Sequence, residues 1–113
     1  MGDKQEVAAL AARVRTALAD DHQITEKRMF GGITFLMGGN MLCCASMQGL
    51  MVRVGADAEA TALSRPFARP CLGAGRPMTG FIMVEPAGIE EPADLARWLG
   101  MARAYVGLLP PKK

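Results

Sequence analysis

A chain of 113 residues, half of them apolar and 21% charged, has the composition of one globular domain, which excludes an extended disordered segment. Its formal net charge of +2 is too small for electrostatics alone to drive association with nucleic acid or a membrane surface. No apolar run nears the ~18 residues of a membrane span and positions 1–20 lack a signal-peptide core, so the cytoplasm is the expected location.

In chain order, Asp3 and Glu6 suit a capping box for a first helix, whose stripe is Val7, Leu10, Ala11, Val14, Ala17 and Leu18. Asp20-Asp21-His22 ends it, and Ile24 to Met29 reads as a partly exposed strand. Gly31 and Gly32 follow, between Met29-Phe30 and an alternating run. Paired glycines beside such sequence predict a bulge or sharp bend, because they accept positive φ and close backbone approach. Ile33, Phe35 and Met37 share one strand face; across a Gly38-Gly39-Asn40 turn, Met41, Cys43, Ala45 and Met47 form the matching set. Gln48-Gly49 predicts a second turn, after which Leu50, Val52 and Val54 alternate with Met51 and Arg53.

Asp57 is placed to cap a short helix over 58–63. Residues 65–78 carry three prolines, two glycines and three arginines and read as a long loop, functional or mobile. A strand is expected over 79–85. Pro92 opens a final helix, with Glu90 and Glu91 at its positive end and an apolar stripe of Leu95, Trp98, Leu99, Ala102, Tyr105, Val106 and Leu109. Pro110-Pro111 stops that helix. The order predicts a single α+β domain over 1–113, two-layered, with an antiparallel sheet of about five strands.

The run Arg28-Met29-Phe30-Gly31-Gly32, then Gly39-Asn40-Met41, Arg76-Pro77-Met78-Thr79-Gly80-Phe81-Ile82, Leu95-Ala96-Arg97-Trp98-Leu99 and the Leu109-Pro110 tail resembles the N-terminal domain of the TfoX/Sxy family. The resemblance covers nearly the whole chain and implies a secretion-chaperone-like arrangement, with N-terminal and C-terminal helices on one face of the sheet and the other face partly open. The family contains competence regulators associated with the cyclic-AMP receptor protein. Those regulators carry a second, C-terminal helical-hairpin domain, and 113 residues accommodate only the first. The resemblance therefore implies a stand-alone regulatory or interaction domain whose partner is a protein such as a transcription regulator. Met and Cys on both strand faces also raise the expectation of a homodimer.

The residues offer little chemistry to set beside that. His22 is the only histidine, and nothing in the sequence brings it to Ser46 or Ser64 for nucleophilic catalysis. Asp20-Asp21 and Glu90-Glu91 sit at helix ends, where capping and dipole effects account for them. No phosphate-binding glycine pattern occurs, so no enzyme and no cofactor are expected. Cys43 and Cys44 point to opposite strand faces and cannot readily chelate one metal ion. Buried reduced thiols are their ordinary role, whereas Cys71, after Arg69-Pro70 in the expected loop, would be exposed with a lowered pKa. Nine methionines against one Tyr and one Trp either fill core gaps or line a partner-accepting surface. Two binding sites are candidates: a protein-recognition patch at Met29, Phe30, Gly31 and Gly32, and an alternative nucleic-acid site at Arg65, Phe67, Arg69 and Arg76.

Overall fold

Alternating apolar strands joined by tight turns build most of the molecule. The computed structural model describes residues 4–29, 31–73 and 75–112. Strands β1 (Ile24–Met29), β2 (Gly32–Met37), β3 (Asn40–Ser46) and β4 (Gly49–Arg53) form an antiparallel meander, and β5 (Ala68–Gly73) and β6 (Arg76–Val84) a separate hairpin. The sheet order is β1-β2-β3-β4-β6-β5, so the hairpin joins the meander through the β4–β6 pairing. Gly38 and Gly39, with φ of 59° and 84°, make the two-residue turn between Met37 and its partner Asn40. Positive φ at both centres matches the right-handed twist of the strands. Asn40 thus opens a strand instead of completing the turn.

Among the described residues, three α-helices cover one face. Helix α1 (Lys4–Ala17) places Val7, Ala11 and Val14 on it, and α3 (Pro92–Val106) adds Leu95, Trp98, Leu99, Ala102 and Val106. They pack on Phe35, Cys43, Ala45, Leu50, Val52 and Ile82, each without solvent exposure. The short α2 (Glu59–Leu63) adds Ala62. Arg15 donates to both carboxylate oxygens of Glu26 at 2.6 and 2.8 Å, tying α1 to β1 and holding the Glu26 carboxyl below its usual range. The α+β plan, with both terminal helices on one face of an antiparallel sheet, matches the expectation from the sequence.

Several local expectations are corrected. Among the described residues the sheet has six strands because residues 68–73, expected as loop, pair with β6; Pro70 fits there because β5 is an edge strand with one side free of the ladder. Of the two alternatives at Gly31-Gly32 the sharp bend holds, with Gly31 at φ 73° beside the Met29–Gly32 pair, and the bulge lies instead between Phe35 and Leu36: Phe35 pairs with Cys43 but Leu36 with Met41, leaving Leu42 as the surplus residue. Leu42 and Cys43 therefore both reach the helix-covered core, and Met41 moves to the opposite face. Ser46 pairs with Gly49, so Met47 and Gln48 are the turn and Met47 is exposed at its tip. Asp57 sits within a 3-10 turn, Ala56–Ala58, and α2 has no side-chain cap. Helix α3 ends at Val106, so Leu109, expected on its stripe, packs against the core from beyond the helix. The Asp3 cap lies outside the described residues.

Candidate functional site

The face turned away from the helices carries the positions that alternate with the aliphatic core. Cys44 from β3, Met51 from β4, Cys71 from β5 and Met83 from β6 are buried together there, with Met41 and Met78 packed against them. They floor a groove of about 720 Å³, bounded at its mouth by Leu72 (64% exposed) and Met47 (53% exposed). Among the described residues, seven of the thirteen lining it bear sulfur, out of twelve Met and Cys in the whole chain, so most of the sulfur is gathered here.

Geometry at the floor is close. The Cys71 Sγ lies 3.1 Å from the Met51 Sδ, in position to donate its proton to the thioether. Cys44 sits opposite Thr34 in the β2–β3 register, and its Sγ has only long contacts, 3.9 Å to the Met29 carbonyl and 3.8 Å to that of Ala45. The Thr34 hydroxyl is fully buried and has no hydrogen-bond partner of ordinary geometry. It faces the Cys44 thiol and favours its ionised form against the larger, opposing effect of burial, which raises the pKa.

Cys71 differs from its expected setting. It is 5% exposed because β5 turns its side chain toward Met51 and Met83, and burial raises its pKa despite the nearby Arg69 guanidinium. Cys43 points the other way into the helix-covered core, where burial pushes its thiol furthest up. The opposed faces of Cys43 and Cys44 are as the sequence implies.

The residues singled out from sequence fall into two groups. Gly31 lines the groove, and Gly32 faces it: a Cβ there would collide with the Ala45 carbonyl oxygen and stand 3.2 Å from the Cys44 Sγ. Met29 is half-buried at that same corner, while Phe30 lies outside the described residues. The arginines are drawn apart. Arg65 stacks 5.2 Å from the Trp98 ring centroid, Arg69 pairs with Glu85 at 3.4 Å, and Arg76 is exposed at the start of β6. Phe67 is half-exposed in a left-handed conformation (φ 66°) just before β5. Sequence reasoning missed the groove, although its signal was present: Met51 and Met83 each alternate with core aliphatics and so must face away from them.

The family model described as the TfoX N-terminal domain matches residues 16–105. The chain belongs to the TfoX N-terminal domain family. That span includes all six strands and α2, so the groove is built wholly from residues within the TfoX N-terminal domain match. The comparisons find no matching curated protein and no matching solved structure. Among the described residues no helix is long and apolar enough to cross a membrane, and no three His, Cys, Asp or Glu side chains gather at metal-binding spacing.

Proposed function

We propose that this domain is a non-enzymatic protein-interaction module that seats an apolar segment of a partner protein in the sulfur-lined groove. The observation that carries this reading is the sheet face itself, uncovered by any described helix and floored by methionines. Unbranched thioether side chains repack around differently shaped apolar partners, which suits a recognition surface. The edge strand β5 runs along the same groove, so an incoming extended segment gains backbone pairing as well as apolar contact. The corner formed by Met29, Gly31 and Gly32 closes one end. Family membership supports a regulatory role with a transcription regulator as partner. Nucleic-acid binding is less well supported, since Arg65 and Arg69 are engaged within the protein.

The test is capture from the source cell by the parent and by Leu72→Glu, a change at an exposed position that leaves the core alone. A partner retained as salt rises and lost with Leu72→Glu supports the module. Capture that falls steeply with salt and ignores Leu72→Glu overturns it in favour of phosphate contacts. Sedimentation of the pure protein identifies the remaining competitor, a second copy of the chain.

A further inference from the structure

Resting on the reading of the groove as a protein-binding surface, we propose that the segment it seats is acidic as well as apolar, with hydrophobic residues on the sulfur floor and carboxylates against Lys27, Arg53 and Arg76. The charges of the sheet are sorted by face. Residues directly opposite in an antiparallel pair share a face. Lys27 pairs with Thr34, Thr34 with Cys44, Cys44 with Met51, Met51 with Met83 and Met83 with Arg69, so one row crosses the sheet with a cation at either end. Arg76, two residues before the groove-lining Met78, alternates onto the same face. Arg53 pairs with Phe81, which packs on the sulfur cluster. Glu26, the one acidic residue within a described strand, stands opposite Phe35 and so faces the helices. Glu85, just beyond β6, is taken up by Arg69 at 3.4 Å. Among the described residues Lys27, Arg53 and Arg76 are left with no carboxylate partner.

Arg53 is the most prepared of the three. Its guanidinium lies 5.5 Å from the Phe81 ring centroid and 5.7 Å from that of Tyr105, and it donates one long hydrogen bond, 3.5 Å, to the carbonyl of the groove-lining Met41. Stacking on two rings holds the fork in place while most of its N–H donors remain for an incoming carboxylate. Lys27 and Arg76 are exposed and extend the positive charge to the β1 and β6 sides. This pattern disfavours the other occupants of such a face. A second copy pairing face to face would set the same cations against one another. A single-stranded nucleic acid would match the cations but stacks its bases on aromatic rings, and no described aromatic residue lines the groove. A protein segment with apolar residues between its carboxylates satisfies both the floor and the rim.

The experiment is selection from a phage-displayed library of random dodecapeptides, run in parallel on the parent and on Arg53→Gln/Arg76→Gln. Peptides retained by the parent should be enriched in Leu, Ile, Val, Met and Phe and, by about twofold or more, in Asp and Glu. The double variant should keep the apolar enrichment and lose the acidic one. One selected peptide is then synthesised with a fluorophore and its binding followed by anisotropy. The double variant should bind it about 10-fold more weakly and Lys27→Gln about 3-fold more weakly, while Arg53→Lys, which keeps the charge without the fork, should fall between the parent and Arg53→Gln. Lys27→Gln and Arg76→Gln change exposed side chains, so the charge test stands even if Arg53→Gln disturbs its two rings. Arg97→Gln, on α3 beside Asp94, should bind as the parent does. Apolar enrichment without acids overturns the acidic segment and leaves the protein-binding groove standing. No enrichment of either kind overturns both, and an equal loss with Arg97→Gln overturns the assignment to this face.

Discussion

Leu50 and Met51 are neighbours in β4, both nearly inaccessible to solvent, yet they belong to different environments. Leu50 faces Trp98, Phe35 and the other large side chains beneath the helices. Met51 faces an open groove, among sulfurs. The helix-covered face has the shape-specific aliphatic and aromatic residues that fix one packing. The open face has side chains that tolerate several. Burial measured residue by residue does not separate the two; what lies beyond the side chain does.

That contrast is broken if equivalent truncations on the two faces cost the same. Leu50→Ala should destabilise by about 3–4 kcal/mol, because it leaves a closed void under the helices. Met51→Ala should cost only about 1–2 kcal/mol, since the space it vacates opens to solvent. Urea unfolding of both variants at unchanged m-value measures the difference.

Next in size are the paired glycines that bound the open face. Gly32→Val drives a side chain into the Ala45 carbonyl and the Cys44 sulfur, at about 2–3 kcal/mol of overpacking. Gly31 has nothing within 4 Å of its would-be Cβ, so Gly31→Val meets only the strain of its φ of 73°, about 1 kcal/mol. Thermal melts that rank the two in reverse order would place the close approach at the wrong glycine.

A pH series separates the faces by their thiols. Burial raises the pKa of Cys43, Cys44 and Cys71 in the folded state, most of all for Cys43. Above the ordinary thiol pKa the unfolded chain releases these protons while the folded chain keeps them, so the unfolded state binds fewer and stability falls as pH rises. The stabilisation is complete below about pH 8 and is lost above it, by about 1.4 kcal/mol per pH unit for a thiol that stays fully protonated when folded. Cys43→Ala should flatten this decline more than Cys71→Ala, as read from melting temperature between about pH 7 and pH 10. The smallest effect is expected at the rim: Arg69→Ala and Arg76→Ala should stay within about 0.5 kcal/mol of the parent by thermal melt.

Much of this architecture is legible in the residues alone. Alternation places Leu50, Val52 and Val54 against the helices, Gly38-Gly39 marks a hairpin, and the stripe from Leu95 finds α3, although it runs on to Leu109, three residues past the helix. What escaped was decided by pairing between distant segments. Pro70 and three arginines make 65–78 look like loop, and only the ladder offered by β6 converts 68–73 into a strand. That strand then buries Cys71, reversing the reading of an exposed, activated thiol. The one-residue surplus at Leu42 likewise depends on β2 and swaps Met41 from one face to the other, where strict alternation within β3 could not foresee it. The candidate site inherits both effects, so the corner at Gly31 and Gly32 was visible from sequence and the groove between four strands was not.

The strand order has a kinetic consequence. Four of the five pairings join strands consecutive in the chain; the fifth, β4 with β6, closes over the residues between Arg53 and Arg76. Loop-closure entropy makes that seam the slowest contact to form, with the meander and the β5–β6 hairpin as the local units it unites. Cys44 and Met51 lie on one side of the seam, Cys71 and Met83 on the other. Half a groove exists on each unit before they meet, and neither half shields its thiol. During refolding, pulse alkylation should therefore protect Cys44 and Cys71 together, in the final phase, so that the clock of this fold can be read from two sulfurs.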